Sequence, residues 1–138
     1  MGKLKNQRRQ GPLGEPTYNR AMRFDQFTIA LLMLRPDAPV LDEVAAAALQ
    51  DAHMAHLADL HEAGYLVAAG PLLGPPDREF RGLTILNVDP ERARALKEQD
   101  PAVRAGRFSV QIFPWIVPAG AMTFGPTRFP RSMAETET

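Results

Sequence analysis

From about Leu41 to Ala63 the chain carries one long helical pattern, closed by Gly64 where a left-handed C-cap is wanted. The pattern has a single apolar stripe. At about 100° per residue, Leu49, His53, Leu57 and Leu60 fall on one line, at spacings of four, four and three. A helix with one stripe buries it against a second layer, and the segments on either side must supply that layer. His53 sits in the middle of the stripe, His56 on its edge and His61 on the polar side with Glu43 and Gln50. All the histidines of the chain lie on this one helix. A titratable ring aimed into an apolar layer is either a core histidine with a satisfied hydrogen bond or the base of a site, and the helix alone leaves both open.

The flanking segments read as strands. In Arg23–Leu34, Phe27, Ile29, Leu31 and Met33 line one face at period two, while Phe24, Gln26, Thr28, Ala30 and Leu32 form a mixed second face. Tyr65–Ala69 is a short second strand that stops at Gly70-Pro71. Residues 72–80 are a loop rich in Gly and Pro, and Gly82–Val88 is a third strand. Asp89-Pro90 then gives the start signal of a helix reaching about Glu98, with Asp as N-cap and Pro at the first helical position. Asp100-Pro101 repeats the signal for a single turn ending at Gly106. Arg107–Val117 is a fourth strand, bent or ended near Pro114.

The order β-α-β-β-α-β over residues 23–117 predicts an α+β domain of ferredoxin-like type, an antiparallel sheet with two helices on one face. Two helices cover one face only. The strands keep apolar residues on both, so the uncovered face, assigned to Phe24, Ala30 and Leu32, is expected to meet a second copy in a sheet-on-sheet homodimer.

At 138 residues this is one domain with tails, a disordered leader at 1–22 and an irregular segment at 118–138 whose last six residues look frayed. The leader holds Lys3, Lys5, Arg8, Arg9 and Arg20 against Glu15, so a chain of zero net charge has a mildly acidic body. That balance argues against a nucleic-acid partner. No stretch approaches the roughly 18 apolar residues of a membrane span, and the absence of cysteine excludes thiol catalysis and fits a cytoplasmic protein.

Asp51-Ala52-His53, Leu57, Gly64, Ala69-Gly70-Pro71, Arg81-Gly82, Asp100-Pro101, Gly106 and Pro114-Trp115 form an ordered series. In sequence and spacing the series resembles the YCII-related (YciI-like) family across residues 23–117. The resemblance implies a dimeric α+β barrel of ferredoxin-like subunits. It also implies an active site where the family's histidine and the aspartate of its Asp-Pro pair, here His53 and Asp100, lie together in a pocket. One branch of that family is similar to dechlorinases acting on chlorinated hydroxyquinols. The long leader, the Pro-rich loop and the extra His56 depart from the family pattern.

The chemistry of the pair stands beside the resemblance. A carboxylate bonded to one ring nitrogen fixes the tautomer and leaves the other nitrogen to move a proton, and Asp100 can cap its turn with the same carboxylate. Around the pair, His56, Gly70, Pro71, Arg81 and Trp115 are candidate substrate contacts. Each has a plainer reading: a turn after a strand for Gly70-Pro71, a solvated side chain for Arg81, core or dimer packing for Trp115. His53 and His56 point about 60° apart and no H-E-x-x-H signature is present, so no metal is expected. No cofactor is expected either, since phosphate loop, nucleophile elbow and dinucleotide fingerprint are all missing. The reading is a cofactor-independent enzyme of isomerase, lyase or dehalogenase type, acting by His–Asp acid–base chemistry on a small cyclic or aromatic acid or phenol. Its alternative is a non-catalytic dimeric module that holds a small ligand.

Overall fold

A computed structural model describes residues 4–5 and 21–137. The elements are β1 (Leu4–Lys5), β2 (Ala21–Met22), β3 (Phe24–Leu34), α1 (Glu43–Glu62), β4 (Leu66–Pro71), β5 (Phe80–Leu86), α2 (Pro90–Lys97), α3 (Pro101–Arg104) and β6 (Phe108–Pro118), followed by a 3-10 turn at Met133–Glu135. Four strands form one sheet in the order β4-β5-β3-β6, the ferredoxin-like arrangement, with β5 antiparallel to both of its neighbours. The chain divides into a larger unit, 27–114 with 124–138, and a smaller one, 1–26 with 115–123.

In the larger unit each helix starts where a side chain caps it. Asp42 accepts from the Ala45 amide at 2.7 Å and Asp89 from the Arg92 amide at 2.8 Å. Gly64 ends α1 at φ 89°, a conformation that favours glycine. The helices lie on one face of the sheet, where Ala30 and Leu86 meet Ala93 of α2, and Leu32 and Phe108 meet Ala102 of α3.

That packing corrects the assignment of faces on the first strand. The small side chains of Thr28 and Ala30, with Leu32, are the ones the helices cover, because helices approach a sheet closely only over short side chains. Phe27, Ile29 and Leu31, on the opposite face, are half-buried. Met33 belongs to the same alternation yet is buried, next to the point where the β3–β5 register shifts.

Two strands run further than their sequence suggests. Gly70 and Pro71 do not end β4; they pair with Leu83 and Gly82. β6 likewise passes through Pro114. Both strands lie at edges of the sheet, where a proline's missing N–H faces outward and breaks no ladder bond.

Beyond residue 123 the chain has little regular structure, but it does not hang free. The Phe129 ring stacks on that of His61 with centroids 4.1 Å apart, Arg131 donates to Asp59 and Glu62 at 2.8 Å each, and the Met133 amide donates to Asp51 at 2.9 Å. Of the last six residues, expected to fray, Met133 is tied to α1 by that bond, and Thr138 lies outside the described residues.

In the smaller unit Leu4–Lys5 pairs antiparallel with Ala21–Met22, and the rest of the expected 1–22 leader lies outside the described residues. The Ala119 amide donates to the Arg23 carbonyl at 2.9 Å and the Gly120 amide to the Asp25 carboxylate at 3.0 Å. Among the described residues no helix is long and apolar enough to cross a membrane.

Candidate active site

The middle of α1 carries His53 into the layer between helix and sheet, where it is 8% exposed. Its Nδ1 lies 2.7 Å from Oδ2 of Asp100, which is fully buried. Asp100 is also the N-cap of α3, its Oδ1 accepting from the Ala102 amide at 2.9 Å. One carboxylate therefore does both jobs that the sequence allows it.

Burial alone would push the Asp100 carboxyl up. The His53 bond, the charges of His53 and Lys97, and the Ala102 amide together outweigh burial and hold it below its ordinary value. An ionised carboxylate only accepts, so Nδ1 of His53 is the donor in this bond. The Phe108 ring meets the imidazole edge-on, with centroids 6.1 Å apart, and helps to fix its orientation.

The same carboxylate has a neighbour that sequence reasoning missed. Lys97, in the last turn of α2, is fully buried, with Nζ 3.9 Å from Asp100 Oδ2 and 3.4 Å from Thr84 Oγ1. Burial lowers the Lys97 ammonium to about 8, although the Asp100 charge pulls the other way. A lysine at the end of a short helix reads as a solvated complement to the helix dipole, and nothing local in sequence marks it as buried.

His53 lines a cavity of about 460 Å³, open on one side, together with Gly70, Pro71 and Arg81 of the expected site. Thr84, Arg107, Phe129 and Met133 also line it. The docked C-terminal segment thus forms part of the wall. Asp100 reaches the cavity only through His53. His56 is half-buried outside the lining and donates through Nε2 to the Leu96 carbonyl at 3.1 Å. Burial foremost holds its pKa below the usual histidine value. Trp115 belongs to the smaller unit, where it is half-buried, and is not part of the lining.

Two arginines of the rim are spent on structure. Arg78 donates to the carbonyls of Leu72 and Pro75, and Arg81 to those of Arg78 and Pro76, which ties down the Pro-rich loop. Arg107 lies over the Phe108 ring, 5.2 Å from its centroid, and has no carboxylate partner among the described residues. The site is an apolar cleft with a histidine at one wall and positive charge at the rim. Among the described residues no three carboxylate or histidine side chains converge as metal ligands would.

The YCII-related domain model matches residues 30–116, the stretch that holds His53, Asp100 and most of the cavity wall. The chain belongs to the YCII-related family. Among solved structures, this YCII-related chain is similar in fold to 5-chloro-2-hydroxyhydroquinone dehydrochlorinase from Burkholderia phenoliruptrix AC1100, in complex with 2,5-dihydroxybenzoquinone. The two are 20% identical with a TM-score of 0.50, over 64% of this chain and 92% of that one. No curated protein matches the YCII-related chain.

Proposed function

We propose that this YCII-related protein is a small-molecule enzyme in which His53 moves a proton on a cyclic or aromatic acid or phenol, with Asp100 as its partner. The observation that carries the reading is the 2.7 Å bond from the His53 ring to a buried, ionised Asp100, on a histidine that lines a 460 Å³ cavity. A volume of that size suits a single substituted ring.

In the proposed reaction Nε2 takes the proton, and Asp100 stabilises the imidazolium that forms and holds its tautomer. Arg107 is the rim cation best able to meet a substrate carboxylate, since Arg78 and Arg81 already serve loop carbonyls. Isomerisation, lactone opening and loss of halide all begin with such a proton transfer. The ring chemistry in the name of the dehydrochlorinase of similar fold supports including chlorinated hydroxyquinols among the candidates.

Two copies are part of the same proposal. On the sheet face away from the helices, Ile29 and Leu31 are half-buried and Phe113 is 43% exposed, which favours packing against a second sheet.

The test is a panel of hydroxylated ring acids, lactones and chlorinated hydroxyquinols, incubated in deuterated buffer and followed by mass spectrometry and chloride release. Turnover of one class by the full chain, lost in His53→Ala, is the expected result. Binding with no product and no deuterium uptake would leave a ligand-holding module instead.

A further inference from the structure

Thr84 and Thr28 are both buried threonines of the central strands, and their hydroxyls differ in one respect. The Thr28 hydroxyl donates to the Val88 carbonyl at 2.6 Å and is satisfied within the fold. The Thr84 hydroxyl only accepts, from the Lys97 ammonium at 3.4 Å. An ammonium has three N–H groups and no acceptor, so in this contact oxygen is the accepting partner and the O–H is left to give elsewhere. Among the described residues it has no acceptor, and Thr84 lines the cavity that His53 also lines.

Resting on the acid–base reading of His53, we propose that Thr84, oriented by the buried Lys97, is the hydrogen-bond donor to the substrate oxygen on which negative charge develops. Thr84 is then a catalytic residue and Lys97 a positioning residue. The class of substrate narrows accordingly, to rings carrying a carbonyl or hydroxyl oxygen conjugated with the bond that loses its proton.

The charges balance. At rest the buried Lys97 ammonium and Asp100 carboxylate offset one another. The substrate's C–H or O–H bond breaks and an N–H bond forms at Nε2 of His53. The electron pair left behind delocalises onto the substrate oxygen. The new imidazolium lies against Asp100, and the new oxyanion lies against a hydroxyl polarised by Lys97. A donor already in place at a developing oxyanion in a site with little water typically speeds a reaction by about a hundredfold or more. A buried cation with no carboxylate closer than 3.9 Å among the described residues is a poor stabiliser of the fold, but it suits this task.

The experiment uses 4-nitrophenol, whose absorbance reports its own ionisation, bound to the full chain. The wild type should shift the bound probe's ionisation to lower pH by about one unit, a tenfold change in the equilibrium. Thr84→Val and Lys97→Met should each abolish the shift, Thr84→Ser should keep it, and His53→Ala should keep it while losing turnover. If Lys97→Met does not fold, Thr84→Val against Thr84→Ser decides the matter. No binding, no shift in the wild type, or an equal shift in Thr84→Val would overturn the proposal. The last result would leave the role of His53 standing, whereas turnover surviving in His53→Ala would remove the acid–base reading on which the step rests.

Discussion

His53 on α1 donates to Asp100 across 2.7 Å, so the middle of the longest helix is bonded to the first residue of the turn that leads into the last strand. The residues are 47 apart in sequence, and the bond is formed where neither carboxylate nor ring meets much water.

Both oxygens of Asp100 are used, Oδ2 by His53 and Oδ1 by the Ala102 amide. Asparagine at this position has one acceptor oxygen for two donors, so Asp100→Asn should cost about 1–3 kcal/mol at neutral pH. The folded carboxyl is held below its unfolded 3.8, so its contribution is present above that value and lost as pH falls through the folded one. Urea denaturation of both proteins at neutral pH and at about pH 3 should show the gap narrowing in acid. Parallel losses would mean that Asp100 is not ionised in the fold.

Lys97 works in the opposite range. Its folded value of about 8 lies below the ordinary 10.5, so between those values the unfolded chain holds a proton that the folded chain has released. Stability should therefore rise with pH across that window, by on the order of 3 kcal/mol from this group. Lys97→Met should lack the rise. Identical alkaline profiles for the two proteins would show that the ammonium is not desolvated.

The long helix, both Asp-Pro starts and the strand order are legible in the sequence because each is written in neighbouring residues. His53 was visible as the polar break in an apolar stripe. What stayed hidden depends on the sheet. Lys97 and Thr84 meet only after α2 lies down on β5, so no spacing announces them. Gly70-Pro71 looks like a stop and continues the strand because β4 is an edge. The faces of β3 were exchanged because the more apolar face was not the one under the helices; closeness of approach selected Ala30.

The docking of the C-terminal segment on α1 should matter unequally along its length. Phe129→Ala removes the stacked ring and part of the cavity wall, and should cost about 1 kcal/mol of stability while raising KM more than it lowers kcat. Arg131→Ala breaks exposed ion pairs and should leave thermal melting nearly unchanged. Equal effects in calorimetry and kinetics would mean that charge, not the ring, seats the segment.

Sedimentation at micromolar concentration should give twice the chain mass, with Phe113→Asp shifting the protein toward the monomer. A wild-type monomer would remove the sheet-on-sheet dimer and leave Phe113 exposed.

The most direct measurement is a double-mutant cycle on turnover with His53→Ala and Asp100→Asn. If ring and carboxylate share one task, each single change cuts kcat by about a hundredfold or more, and the double variant is no slower than His53→Ala alone. Losses that multiply, or a His53→Ala protein that still turns over at the wild-type rate, would contradict the His53–Asp100 unit.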